Sequence, residues 1–226
     1  AGDPVRDKDE VLWTVVDITE RVKAKEKIDQ LASKLSRYLS PQVYQSIFSG
    51  KKNVKIEAYR KKLTVFFSDI KGFTEITDRL EPEVLSTLLN SYLNEMSKIA
   101  LKYGGTIDKF IGDAIMVFFG DPETEGEVQD ALKCVEMAIL MRQRVEELQK
   151  HWKKMGVTNG LGIRMGISTG FCTVGNFGSD LRLDYTVLGS PVNLAARLQS
   201  AADRNGILID ENTNNLINDI VQTEKN

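Results

Sequence analysis

The alternation of apolar and polar positions changes character twice along the chain. Val11-Leu-Trp-Thr-Val-Val16 is β-branched and reads as a strand without a partner nearby. A polar stretch over 17–28 then opens a helix with Thr19 as N-cap. Ala24, Ile28, Leu31, Leu35, Tyr38 and Gln42 recur at spacings of four and three. Such a short, degrading seam fits a parallel two-stranded coiled coil or an amphipathic helix lying on its own domain. Ser40-Pro41 breaks it and starts a short helix through Ile47 and Phe48, ended by Gly50. Lys51-Lys-Asn-Val-Lys55 is a charged linker, so the main domain is expected from about residue 58.

From there strand and helix periods alternate. The run at 63–68 predicts a buried strand. A helix opens near Pro82, with a stripe of Val84, Leu85, Leu88, Leu89, Tyr92, Met96 and Ile99, and ends at Gly104-Gly105. Strands at 106–111 and 114–119 turn at Gly112-Asp113. A helix over 127–155 carries Ala131, Val135, Ala138, Met141 and Val145 on one face. Strands at 161–168 and 171–176 are expected to pair through Thr169-Gly170, followed by a helix from about Pro191 to Ala202 and a strand at 207–209. The order predicts an α+β fold: a ferredoxin-like βαββαβ core with an antiparallel-containing sheet and two helices on one face, preceded by a helical linker. Right-handed crossovers put strand 63–68 centrally, beside the 106–119 hairpin.

Composition narrows the function classes only a little. The chain has 226 residues, 42% apolar and 27% charged, as soluble domains do. Its net charge of −2 offers no electrostatic reason to expect a nucleic-acid partner. The apolar runs are too short to span a bilayer and no signal peptide opens the chain, so a cytoplasmic fragment of a longer protein is expected, without membrane contact of its own. Cys134 and Cys172 read as buried free thiols. His151, the only histidine, lies in a polar stretch and receives no role.

The chemistry gathers on two aspartates. Asp69 ends the apolar run Leu63-Thr-Val-Phe-Phe-Ser68, and Asp113 sits in the hairpin turn. Alone, each reads as an ordinary solvated loop or turn residue. The predicted topology brings the two together, as a hard oxygen pair of the kind that holds Mg²⁺ against phosphates. After Asp69, Ile70-Lys-Gly72-Phe73-Thr74 is a glycine turn into a helix, whose unpaired N–H groups can bind phosphate. Lys109 reads either as a snorkelling strand lysine or as a donor beside this site. Asn193 and Arg197, four apart on one helical face, read as a cap and a surface cation, or as a neutral donor and bidentate cation for a developing phosphoryl charge.

Phe67-Ser-Asp-Ile-Lys-Gly-Phe-Thr74, Lys109-Phe-Ile-Gly-Asp-Ala114 and Val192-Asn-Leu-Ala-Ala-Arg197 occur in this order and spacing. Together they closely resemble the class III nucleotidyl cyclases, over about residues 58–222. The resemblance implies a homodimer with two active sites at the interface, each built from both chains. Asp69 and Asp113, helped by the Ile70 carbonyl, would hold two Mg²⁺ or Mn²⁺ ions per site. Asn193 and Arg197 of the other chain would position the ribose and stabilise the transition state. Lys109 and Thr186 would read the purine, and a lysine at 109 argues for ATP, since guanylyl cyclases of this family usually carry Glu there. The implied reaction is attack of the ribose 3′-hydroxyl on the α-phosphate, giving cyclic AMP and pyrophosphate.

Two departures stand out. Many adenylyl cyclases have Asp where this chain has Thr186; Thr is a less committed acceptor and occurs in the soluble and cyanobacterial-like subgroup. The family's late triphosphate-binding lysine has no convincing counterpart, Lys225 being too close to the end, and the final strands are expected to be missing. Residues 1–19 resemble the C-terminal end of a PAS-like sensor domain, 20–57 a signalling helix with a short transducer helix, and 58–226 the catalytic domain. The competing readings are a guanylyl cyclase and a catalytically inactive cyclase-like nucleotide sensor. A diguanylate cyclase lacks support, because no acidic pair directly follows Gly104-Gly105.

Overall fold

Why the apolar run at 63–68 does not alternate is answered by β1 (Ala58–Ile70), which has both faces covered from Leu63 to Ser68. The structure is a computed structural model. It describes residues 17–35, 44, 57–154, 156–157, 161–179 and 181–225, with side chains undescribed at 33–35. The expected strand at 11–16, the seam's Leu35 side chain, Tyr38 and Gln42, most of the helix after Pro41 and the 51–55 linker lie outside these residues.

The chain divides into two units, 1–39 and 40–226. The first contributes α1 (Thr19–Leu35), which leaves Ile28 and Leu31 exposed. The second carries β1, α2 (Phe73–Thr77), α3 (Pro82–Lys102), β2 (Thr106–Ile111), β3 (Ala114–Phe119) and α4 (Glu127–Lys154). It continues with β4 (Ile163–Ser179), β5 (Arg182–Leu188), α5 (Ser190–Ala201), β6 (Ile207–Ile209) and α6 (Glu211–Ile217). The sheet runs β2-β3-β1-β4-β5, with β6 parallel to β4 and every other pair antiparallel. The mixed α/β fold with an antiparallel sheet is therefore as expected, and β1 is central.

The sheet separates two apolar layers. Phe66, Ile70, Ile115, Val117 and Ile167 face α3 and α4, which bury Leu88, Tyr92, Met96, Ala138, Met141 and Trp152 against them. Leu63, Val65, Phe67, Phe118 and Val174 face the other way, onto Ala195 of α5. Alternate positions of one strand thus feed opposite layers.

One expectation fails. The strands read at 161–168 and 171–176 are a single 17-residue strand, β4, with no turn at Thr169-Gly170. Thr169 and Gly170 pair in register with Thr64 and Leu63. Thr169 Oγ1 lies 2.9 Å from Thr64 Oγ1 and 2.8 Å from Thr213 Oγ1, a buried hydroxyl chain that needs an unbroken strand. Gly170 serves packing: a Cβ there would come within 2.8 Å of Pro191 Cγ on α5. The hairpin turn falls after Ser179 instead, and β5 occupies residues between 176 and Pro191 where no strand was expected.

The long β1 and β4 let the sheet curl until its edges approach. Asp121, buried just after β3, accepts hydrogen bonds from the hydroxyls of Tyr59 on β1 and Tyr185 on β5. Lys61 adds an ion pair to it at 3.2 Å. At the far edge β2 reaches β5 directly, through Asp108 and Thr186.

Candidate active site

The acidic end of the site follows from strand register. Ser68 lies opposite Ile115, so the last residues of β1 and the turn of the β2–β3 hairpin share one end of the sheet. There the Ile70 N–H donates to Asp113 Oδ2 at 2.8 Å, which fastens Asp113 beside Asp69. Burial pushes the Asp113 carboxyl above its ordinary value; the Ile70 N–H pulls against it, and the nearby Asp69 charge adds a smaller push upward. Sequence reasoning placed this pair correctly.

It missed the cation on it. Asp69 faces Arg164 directly across the β1–β4 ladder. The Arg164 guanidinium donates to both Asp69 oxygens, at 3.0 and 2.6 Å, and to the Ser200 carbonyl at 3.1 Å. The bidentate pair with Asp69 raises the Arg164 pKa further. It also ties the end of β1 to the last turn of α5. In sequence Arg164 is one strand arginine among several; only register shows what it faces.

The two carboxylates suit a hard divalent cation that completes its shell with substrate oxygens and water. Among the described residues no group of three or more His, Cys, Asp or Glu side chains gathers to hold a metal. The adjoining turn is held by Lys71 N–H donating to the Gly162 carbonyl at 2.8 Å. Gly72 then adopts φ +76°, where a side chain is strained, and caps the five-residue α2 without a side-chain hydrogen bond. Phe73 and Thr74 begin that helix, with Thr74 exposed.

A second cluster joins opposite edges of the sheet. Lys109 on β2 and Thr186 on β5 both bind the carboxylate of Asp108, which neither motif reading included. Lys109 Nζ is 3.2 Å from Asp108 Oδ1, and Thr186 Oγ1 donates to Oδ2 at 2.5 Å. Neighbouring residues of a strand normally point to opposite faces. The β2–β3 register shifts between Ile107 and Lys109, making Asp108 the extra residue of a β-bulge, which turns the two side chains toward each other. A bulge leaves no residue-type signal, so Asp108 was not legible beforehand.

Asn193 and Arg197 lie one turn apart on the exposed face of α5, while Pro191, Ala195 and Gln199 are buried beneath. Gly166 sets this contact: a Cβ would stand 2.2 Å from the Ala195 carbonyl oxygen and the Gln199 nitrogen. Among the described residues no hydrogen bond or ion pair connects Asn193 or Arg197 to Asp69 or Asp113. Within one chain the expected site residues thus form three groups. Cys134 and Cys172 are buried free thiols, as expected.

Residues 54–226 match the family model described as the adenylate and guanylate cyclase catalytic domain, and the chain belongs to that family. An adenylate cyclase of Anabaena cylindrica is 34% identical over 168 residues, 72% of this chain and 32% of that protein. The terminal-differentiation specific adenylate cyclase of Dictyostelium discoideum is 35% identical over 179 residues, 78% of this chain and 8% of that protein. The chain thus spans about a third or less of these curated relatives. The crystal structure of the adenylyl cyclase CyaB from P. aeruginosa is similar at 60% identity and a TM-score of 0.73, over 74% of this chain and 85% of that one. The guanylyl cyclase Cya2 structure is similar at 35% identity and a TM-score of 0.67, over 71% of this chain and 80% of that one.

Proposed function

We propose that this chain is the catalytic part of an adenylyl cyclase, a lyase converting ATP to cyclic AMP and pyrophosphate. The observation that carries the reading is Asp113 fastened to the Ile70 N–H beside Asp69, at the end of the two central strands. The 60% identity to a structure named as an adenylyl cyclase, against 35% to one named as a guanylyl cyclase, favours ATP. Lys109 donates to N1 of adenine and Thr186 accepts from its exocyclic amine. Gly72, Phe73 and Thr74 line the triphosphate with main-chain N–H groups. Asp69, Asp113 and the Ile70 carbonyl would hold two Mg²⁺ or Mn²⁺ ions per site, which would supply Lewis-acid activation of the 3′-hydroxyl and charge neutralisation on the leaving group.

Asn193 orients the ribose and Arg197 meets charge growing at the α-phosphate. Both act on the site of the partner subunit in a homodimer, a reading supported by their exposure on α5. The β2-β3-β1-β4 order reads as a ferredoxin-like core, with α3 and α4 on one face. The exposed Ile28 and Leu31 of α1 support a helical seam between two chains that links an upstream sensor, PAS-like by its sequence, to a cytoplasmic catalytic pair. No helix among the described residues is long and apolar enough to cross a membrane.

The deciding measurement is cyclic nucleotide production from ATP and from GTP, each with Mg²⁺, with Mn²⁺ and with a chelator. Metal-dependent cyclic AMP formation that exceeds cyclic GMP formation is expected. Equal turnover of GTP would move the reading to a guanylyl cyclase. No turnover by a dimeric, nucleotide-binding protein would move it to a nucleotide sensor.

A further inference from the structure

Asp108 belongs to neither the metal pair nor the ribose pair, yet its side chain is 1% exposed and bonded from two strands at opposite edges of the sheet. A carboxylate is an acceptor only, and a threonine hydroxyl has one hydrogen and two lone pairs. Thr186 gives that one hydrogen to Asp108 Oδ2 at 2.5 Å. What remains of Thr186 for any other partner is lone pairs. Three donors converge on the carboxylate: the Lys109 ammonium, the Thr186 hydroxyl and the Val187 N–H. The ammonium beside it favours a charged acceptor over a neutral acid donating to Thr186, against the burial that disfavours the charge.

The six-position of a purine carries opposite hydrogen-bonding character in the two bases: adenine offers an amino donor, guanine a carbonyl acceptor. A free threonine hydroxyl serves either by rotating. One that has already donated accepts from the adenine amine and faces guanine O6 with a lone pair. We infer that Asp108 is a positioning residue for nucleotide selectivity, which commits the Thr186 hydroxyl to accept and so favours an adenine over a guanine nucleotide. The inference rests on the cyclase reading, in which Thr186 and Lys109 meet the base. It adds a residue that touches no substrate atom and acts through Thr186. The bulge at Asp108 is what makes this possible, because a regular strand would point Asp108 away from Lys109.

The test is the ratio of kcat/KM for ATP to kcat/KM for GTP in the full chain, for wild type, Asp108→Asn, Thr186→Val, the double variant and Thr186→Asn. Asp108→Asn is expected to lower the ratio roughly tenfold, the discrimination of about one misplaced hydrogen bond. Thr186→Val should lower it comparably, and the double variant no further than Thr186→Val alone. Thr186→Asn should keep the preference for ATP, its amide donating to Asp108 and its oxygen facing the base. The last two single variants carry the test even if Asp108→Asn does not fold. The inference is overturned if Asp108→Asn slows both nucleotides alike with the ratio unmoved. Full additivity in the double variant, or a swing of Thr186→Asn toward GTP, overturns it too. A wild type that cyclises neither nucleotide overturns the cyclase reading itself. ATP-selective wild type with an unmoved Asp108→Asn removes the role of Asp108 alone.

Discussion

At Asp108 burial is the largest influence on the carboxyl and raises its pKa above the ordinary 3.8, against the pull of Thr186 and Lys109. The folded chain then keeps this proton at a pH where the unfolded chain has lost it. Stability contributed by this group therefore falls as pH rises from about 3.8 through the folded value, and the full penalty is present above it. Asp108→Asn should accordingly leave the urea midpoint at neutral pH unchanged or raised, and flatten its pH dependence at the acid end. A large loss of stability at neutral pH would contradict this. At the acidic end, Asp113→Asn keeps an oxygen to accept from the Ile70 N–H while removing the charge proposed to hold a cation. It should fold normally, bind Mn²⁺ weakly in a calorimetric titration, and lose on the order of 10²–10³-fold in cyclic AMP production.

Among the elements, α5 is the one whose placement decides most. Its buried Ala195 and Gln199 lie directly on Gly166 of β4, and Arg164 on the same strand holds the Ser200 carbonyl. A methyl group at 166 meets backbone rather than a yielding side chain, so the helix itself must shift. Gly166→Ala is expected to cost about 1–3 kcal/mol in denaturant unfolding and to lower turnover more than nucleotide binding. A variant with wild-type stability would show that α5 is free to slide. The β4 strand carries the plainest lesson on legibility. Thr169-Gly170 is a turn signal by residue type, yet both residues pair with β1, and the glycine is there to admit Pro191. Local chemistry could not distinguish a glycine chosen for a turn from one chosen for contact.

For the whole molecule, the three groups of site residues define the sharpest experiment. If Asn193 and Arg197 complete the partner's site, Asp113→Ala and Asn193→Ala homodimers are each inactive, and mixing them restores part of the activity. A mixed dimer assembles one site with no altered residue. Absence of recovery, with subunit exchange demonstrated by pull-down, would count against a shared site.

Most of the order of elements, the two helices on one face, the central strand and the nearness of Asp69 to Asp113 were legible in the sequence. Apolar runs of strand and helix length, joined by short connections, leave few ways to bury them together, and Asp69 and Asp113 stand at the ends of such runs. Tertiary structure alone decided what those residues face. Arg164 meets Asp69 through strand register, and Asp108 meets Lys109 through a bulge. Thr186 reaches Asp108 because the long β1 and β4 curl the sheet until its two edges touch. Register, bulges and curvature arise from the summed packing of many residues, so no single residue type announces them. The bulge and the curl are what supply the committed acceptor that threonine by itself lacked.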